Sequence, residues 1–414
     1  MKSKPHENGA NTLAPTAKLR AKWLTPGVWG IGLASFLSDA GHEVPTSLFA
    51  SFLVGTLGAS AAILGLIEGI ADGMAGIARL AGGALADDPV RRRRTAIGGY
   101  TSTAVLSALI GAATAVWQVA LLRVAAWFSR GLRVPARNTL LADVVPASVY
   151  GRAYGFERAM DNFGAIVGPL LALLLVSLLG VRTAILLSVI PGLLAALAII
   201  YAIRHIPQPT VREHQPLRIK VRPVLHGRLG KLLIGVAIFE VGNVAATLLI
   251  LRATQLLTPM FGLNTATQIA LLLYAGYNTA ATLSSVPAGR VGDRTSMTLV
   301  LTIGVGLFLL AYLGFAFQFP SVVLLALSFA LAGVAIGCIE TSQHASVASL
   351  APTELRGSAF GFLAAVQSFG NIVASAIAGI LWTLFSPTVA FLYLAAWMLI
   401  SLGVLLRFTT YQSH

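Results

Sequence analysis

The sequence predicts an all-α integral membrane protein: twelve transmembrane helices in two pseudo-symmetric six-helix halves. Three observations predict it. Of 414 residues, 56% are hydrophobic and only 11% charged, and the mean hydropathy of +0.81 lies well outside the range of a water-soluble domain. The apolar runs are continuous and do not alternate, which is the pattern of helices and not of a barrel, because lipid demands that each backbone polar group be satisfied internally. Finally, the chain repeats itself. Gly83-Ala84-Leu85-Ala86-Asp87 returns 206 residues later as Gly289-Arg290-Val291-Gly292-Asp293. The same offset carries Gly131 to Gly337, Pro146 to Pro352, Gly151 to Gly357, Ala153-Tyr154-Gly155-Phe156 to Ala359-Phe360-Gly361-Phe362, and Phe163-Gly164 to Phe369-Gly370. One register without a gap over about 80 residues means two homologous membrane halves.

In chain order the spans fall near 27–55, 60–86, 95–115, 117–140, 153–179, 183–203, 231–252, 266–288, 297–317, 321–343, 358–384 and 387–407, each long enough to cross roughly 30 Å of hydrocarbon. This leaves a polar tail at 1–26, a first half at 27–203, a linker at 204–230, a second half at 231–408 and a short tail at 409–414. The first span contains acids, lacks a small-residue cleavage site and follows the polar tail, so it reads as a retained helix and not a leader. The linker sets Pro207, Pro209, Pro216 and Pro223 among basic residues, the composition of a tether.

Lys and Arg in short loops are retained on the cytoplasmic side. With both termini inside, Lys2, Lys4, Lys18, Arg20 and Lys22 of the tail, Arg91 to Arg94, the 130–152 region, the linker, Arg290, Arg294 and Arg356 are all cytoplasmic; Arg182 and Arg252 alone fall outside. The net charge of +14 is therefore a topology signal and not a nucleic-acid footprint. Cys338 is the single cysteine, which excludes an internal disulfide and cysteine-built metal or cluster sites.

A charge at the bilayer centre costs about 2.5–3.5 kcal/mol on insertion scales, so each one kept inside a span is a functional candidate. Helix 1 carries Asp39, His42 and Glu43, at i, i+3 and i+4 on one face, with Asp39 roughly 18 Å from the helix start and near mid-membrane. Helix 2 carries Glu68 and Asp72 beside Gly65, Gly69 and Gly73, small residues that predict close approach of a neighbour. These five titratable groups are expected in one small volume, where crowded like charges bind and release protons. Helix 4 adds Arg123, Arg130, Arg133 and Arg137, and helix 5 adds Glu157, Arg158 and Asp161. Arg133 and Arg137 are expected to partner Asp87, Asp143 or Asp161. The second half is poorer in charge: Arg133, Arg137, Asn138 and Asp143 become Ile339, Gln343, His344 and Ser349. It keeps Glu240, Asn243 and Glu340, which together with His42, Asn138 and Asp161 form the expected substrate-binding set. Pairing of Glu240 or Glu340 with an arginine is the alternative, and spacing does not decide whether His42 and Glu43 serve solute or proton. Asp39, His42, Glu43 and Glu68 are also oxygen and nitrogen ligands suited to a divalent ion, but one histidine among carboxylates does not carry a metal site, and none is assigned.

The repeated loop resembles the signature of the major facilitator superfamily, Gly-x-Leu-Ala-Asp-Arg-x-Gly-Arg-Lys. Gly83, Leu85, Ala86, Asp87, Arg91 and Arg92 match it in the first half, and Gly289, Asp293 and Arg294 in the second. Val90 stands where the family has glycine, after Asp88-Pro89. The resemblance implies that these loop residues make contacts that hold one access state closed, and a gating set is expected at Asp87, Arg91, Arg92, Arg133, Arg137, Asp293 and Arg294. Gly164-Ala165-Ile166-Val167-Gly168-Pro169 is similar to the Gly-x-x-x-Gly-Pro element of the antiporter branch, without its later glycines, and adds Gly168 and Pro169 to that set. Arg123, following Ala120-Leu121-Leu122, resembles the helix 4 arginine tied to proton coupling, with Trp127 where a glycine is expected. The implied coupling set is Asp39, Glu43, Glu68, Asp72 and Arg123.

The resemblance implies secondary transport by alternating access around a central cavity between the halves. The expectation is a proton-coupled exporter of small amphipathic organic solutes; uptake by proton symport, or transport of a divalent metal or a lipid on the same fold, are the alternatives. No Ser-His-Asp set, HExxH or phosphate-binding loop is present, so no enzyme and no cofactor are expected. The expected partners are a small-molecule substrate, protons and the lipid bilayer, without nucleic acid, for a monomer in a bacterial inner membrane.

Overall fold

Several helices begin where a side chain satisfies the backbone donors that an α-helix leaves free in its first turn. Thr25, Ser60, Ser296 and Ser321 accept from Val28, Ile63, Leu299 and Leu324. Asp88 accepts from Val90 and Arg91, with Pro89 as the first helical residue. The Asp-Pro departure from the loop signature is thus a capped helix start. The computed structural model describes residues 23–206, 221–317 and 319–410; Lys2, Lys4, Lys18, Arg20 and Lys22, most of the proline-rich linker and the last four residues lie outside the described residues.

Helix 1 is Pro26–Ala50, continued by a wider turn at Ser51–Thr56; helix 2 is Ala61–Ala86, helix 3 Pro89–Leu109 and helix 4 Val116–Val144. The stretch Tyr150–Leu187 is divided by Gly180 at φ 78°, so helix 5 spans 150–179, and helix 6 starts at 181 and runs on through Val189–Arg204. Likewise Gly262, at φ 73°, divides Ala246–Arg294 into the end of helix 7, 246–261, and helix 8, 263–294. Only glycine adopts that backbone without strain, which allows a one-residue reversal between crossings. Helices 9 to 12 are Met297–Ala316, Val322–Leu350, Arg356–Leu384 and Pro387–Thr410. No strand occurs among the described residues.

Helix 7 differs from the expected continuous span at 231–252. It starts earlier, at Gly227–Glu240, and its backbone leaves the helix from Val241 to Ala245 before resuming. Seven described helical stretches are long and apolar enough to cross a bilayer, two of them, Ala147–Arg204 and Ala246–Arg294, long enough for two crossings. Helices 1, 2 and 4, each of which carries acidic or basic residues, are not among them.

The halves meet along two equivalent pairs, helix 2 with helix 11 and helix 8 with helix 5. Close approach is made by glycines that the repeat relates: Gly83 lies on Gly357 and Gly361, and Gly289 on Gly151. A side chain at any of these would strike backbone. Both contacts lie on the side of the chain ends. Farther along helix 2, Gly76 still meets Phe369, but a Cβ on Gly73, Gly69 or Gly65 would meet nothing within 4 Å. These three glycines therefore do not seat a neighbouring helix as expected; helices 2 and 11 splay, and the space between the halves widens away from the chain ends.

Arg182 and Arg252, the two exceptions to the charge bias, have equivalent employment. Arg182 donates to the carbonyls of Gly111 and Ala113 at the end of helix 3, and Arg252 to those of Phe315, Ala316 and Phe317 at the end of helix 9. Each cation satisfies carbonyls at the negative end of a helix dipole.

Candidate functional site: a central cavity and its ion pairs

A cavity of about 460 Å³ lies between the halves. Its first-half wall carries Asp39, Asp72, Arg79, Trp127, Arg130, Arg133, Arg137, Arg158 and Asp161; its second-half wall carries Glu240, Asn243, Glu340, His344, Gln367, Ser368 and Asn371. Of the expected substrate set, Asp161, Glu240, Asn243 and Glu340 line it, whereas His42 and Asn138 do not.

Helix 4 supplies the partners of the acids of helices 1 and 2. Helix 4 takes each set separately: Arg130 bonds Asp39 at 3.1 Å and also His42, while Arg123 bonds both carboxylate oxygens of Glu68 at 2.9 and 3.0 Å. Asp72 accepts from the Trp127 indole at 2.9 Å. Arg123 is 1% exposed; it also donates to Thr46, and it lies 3.3 Å from the centroid of Trp127 and 4.5 Å from that of Phe49. His42 stacks on the same indole at 4.5 Å and pairs with Glu43 at 3.5 Å. Trp127, the departure from the family's glycine, thus packs against both the helix 4 arginine and the helix 1 histidine. In each pair one partner is buried and the other about a third exposed, Arg123 against Glu68 and Asp39 against Arg130, so the charges are only partly withdrawn from water.

A second network lies nearer the chain ends. Glu157, with no exposure at all, accepts from Ser35 at 2.6 Å and pairs with Arg137 at 2.9 Å and Arg158 at 2.7 Å. Both arginines reach Asp161, and Arg158 lies 3.8 Å from Glu340 across the interface. The expected partnership of Arg137 with Asp161 is present. Arg133 instead donates to Ser38 and lies over the Tyr100 ring at 4.0 Å, without an ion pair among the described residues. Gly164 and Gly168 seat helix 1: added side chains there would strike Asp39 and Glu43. The Gly-x-x-x-Gly-Pro element is therefore the surface that positions the helix 1 acids.

On the side of the chain ends, each loop aspartate caps a helix of the opposite half. Asp87 accepts from the Ser358 backbone at 2.8 Å and its hydroxyl at 2.6 Å. Asp293 accepts from Gly151 at 2.7 Å, and from the Arg152 backbone at 3.2 Å and side chain at 2.8 Å. Ser358 and Arg152 are the third residues of helices 11 and 5 and are themselves 206 apart. Anionic oxygen at a helix N-terminus satisfies free donors and the dipole together. The arginines of the loop act elsewhere: Arg92 bonds Asp143, which lies 3.6 Å from Arg356 of the second half, and Arg91 makes a local pair with Asp88 at 3.7 Å. Arg294 is exposed and makes no ion pair among the described residues.

The sequence model of the Major Facilitator Superfamily matches residues 31–264 and again 244–414. The chain belongs to this superfamily. An MFS-type transporter of Methanocaldococcus jannaschii is 29% identical over 387 residues, 93% of this chain and 95% of the relative. Multidrug resistance protein MdtG of Proteus mirabilis is 25% identical over 280 residues, 65% of this chain and 66% of the relative. Among solved structures, a bacterial homologue of the iron transporter ferroportin, in its outward-facing state, matches with a TM-score of 0.71 at 15% identity, over 93% of this chain and 99% of that one. At that identity the likeness speaks for the fold alone. This superfamily member is a multi-pass membrane transporter of small-molecule substrates.

Several lining residues of this transporter were absent from the expected sets. Arg79, Arg130 and Arg158 line the cavity, as do Gln367 and Asn371. Asp72 and Arg79 are i and i+7 on helix 2, a spacing that places both on one face and was available as a signal. The amides carried none, since uncharged polar groups are common in membrane helices.

Proposed function

We propose that this transporter exports small amphipathic organic solutes in exchange for protons by alternating access, from a bacterial inner membrane with both chain ends cytoplasmic. The observation that carries the reading is the division of the membrane acids into separate ion pairs, Asp39 with Arg130 and Glu68 with Arg123. Protonating either carboxylate removes the attraction holding helix 4 to helix 1 or helix 2, and so biases one packing of the bundle against another. Asp72 and Glu43 extend the two sites through Trp127 and His42. With the loop side cytoplasmic, the trans-capping aspartates hold the inner side shut, and the conformation faces outward. Export is favoured over uptake by the similarity to MdtG proteins and by the Gly164 to Pro169 element. The Arg and Lys bias of the loops supports the orientation.

The test is flux in proteoliposomes under an imposed proton gradient. Asp39→Asn and Glu68→Gln are each expected to lower gradient-driven transport by about tenfold or more while leaving solute binding measurable. Undiminished gradient-driven flux in both variants would remove the coupling reading. Reversal of flux direction relative to the gradient would replace export with symport.

A further inference from the structure

The walls of the cavity are unlike in charge. Five arginines and three carboxylates line the first-half wall, whereas the second-half wall has Glu240 and Glu340 and neither Lys nor Arg. Pairing removes most of these charges from consideration. Asp39 takes Arg130, and Asp161 takes Arg137 and Arg158, the latter also reaching toward Glu340. Four charges remain without an ion pair among the described residues; one of them, Asp72, accepts from the Trp127 indole. The Arg79 guanidinium donates through Nη1 to the Ala364 carbonyl at 3.0 Å, and its buried Nε has no partner. Arg133 has only the Ser38 hydroxyl and the Tyr100 ring. On the facing wall Glu240, 2% exposed, accepts from Asn243 at 2.8 Å and Gln343 at 3.5 Å, without a cation among the described residues.

A charge in a low-dielectric site without a counter-charge is costly, and an opposite charge relieves that cost, as a proton does for a carboxylate. Arg79 and Glu240 both touch helix 11, the first at Ala364 and the second at Gly370. Six helical residues place these points about 9 Å apart, too far for direct pairing. The two charges are held apart by the scaffold. The break in helix 7 directly after Glu240 contributes to this: it lets Asn243 turn back onto the carboxylate, while the carbonyl of Asn243 accepts from Asn371 at 2.8 Å.

We infer that the transported solute is bipolar, with an anionic group received by Arg79 and Arg133 of the first half and an ammonium-type group received by Glu240 of the second. A singly charged solute satisfies one wall and leaves the other charge unpaired, and this difference is the basis of selection. A cavity of about 460 Å³ suits a compact organic zwitterion with its charges separated on the order of 5–10 Å. This inference rests on the transport reading but not on its proton coupling, because binding needs no gradient.

The experiment uses the full chain in lipid nanodiscs and a series of N-benzyl ω-aminoalkanoates of increasing length, with the matched acid and the matched amine that each lack one charge. One length of the zwitterion is expected to bind about tenfold more tightly than either singly charged analogue. Glu240→Gln should weaken the zwitterion and the amine about fivefold and spare the acid, and Arg79→Gln should do the reverse. Arg79→Lys, which keeps the charge, should keep the binding of the zwitterion and of the acid, separating charge from packing. Absence of binding across the zwitterion series, an analogue that binds as tightly as the best zwitterion, or a Glu240→Gln variant that weakens acid and amine alike would each overturn the inference. If Asp39→Asn abolished gradient-driven flux but kept the zwitterion preference, coupling and solute class would be separately established. Loss of the preference alone would reject the solute class and leave coupling intact.

Discussion

The two halves make the same contact with different chemistry. In the first, Arg137 and Asp161 form an ion pair at 3.3 Å; at the equivalent positions of the second, Gln343 and Gln367 join their amides at 2.7 Å. Behind that contact the first half buries Glu157 between two arginines, where the second half buries Leu363 in the apolar core. Arg130 and Arg133 correspond to Ile336 and Ile339. The two loop aspartates, by contrast, make matching caps on matching helices. Duplication therefore preserved the closure while the cavity walls diverged. A charge pair can be broken by a proton and an amide pair cannot, so the halves are suited to different tasks around one cavity.

The sharpest way to break this comparison is to make the first half resemble the second. Glu157→Leu places the second half's residue beside Arg137 and Arg158 and leaves two buried guanidiniums to share Asp161 alone, a loss of about 3–5 kcal/mol. Folded protein should not accumulate, as judged by chromatographic recovery and thermal unfolding. Glu240→Gln, which removes the charge of an unpaired carboxylate, should fold normally. Equal tolerance of both would show that the Glu157 network is not what holds helices 1, 4 and 5 together. Next in size are Asp39→Asn and Glu68→Gln, where the effect belongs to gradient-driven flux and not to folding. If Glu240→Gln reduced that flux by as much at saturating solute, coupling would not be confined to the first half.

The matching caps allow a finer test. Asp87→Asn and Asp293→Asn should each weaken the closed arrangement by about 1 kcal/mol, shifting its population roughly fivefold. Spin-label distances between helices 2 and 11, and between helices 5 and 8, report the shift. Unequal shifts would mean that the latches are equivalent in geometry only. The smallest effect is expected at Gly69→Ala, where the added Cβ meets nothing within 4 Å and stability should change by less than about 0.5 kcal/mol. Gly168→Ala, on the surface that seats Glu43, should instead displace helix 1 and lower flux.

Much of the scaffold was legible because its signals are local or periodic. Apolar runs, the loop charge bias and the 206-residue register require no knowledge of neighbours. The same register located both aspartate loops, although it did not show that each would cap a helix N-terminus of the opposite half. Pairing within the membrane was less legible. Asp39, His42 and Glu43 share a helical face, and so do Glu68 and Asp72, but a face does not say which helix it meets. Helix 4 comes between the two sets and gives each its own arginine. Gly65, Gly69 and Gly73 looked like a packing surface and face open space, since small residues permit close approach without supplying a neighbour. The unwound segment after Glu240 carried no breaker beyond Gly242, and the described contacts show its polar groups turned toward Asn371 and Ser375.

By itself the sequence determined the membrane class, the duplication, the approximate spans and the family, because hydropathy, charge bias and repeats are properties of residue order. Only the tertiary structure decided which charges are paired, which remain alone, and which wall of the cavity each occupies. Ion pairing in a bundle depends on the rotation and separation of helices far apart in the chain, and neither can be read from spacing within one helix.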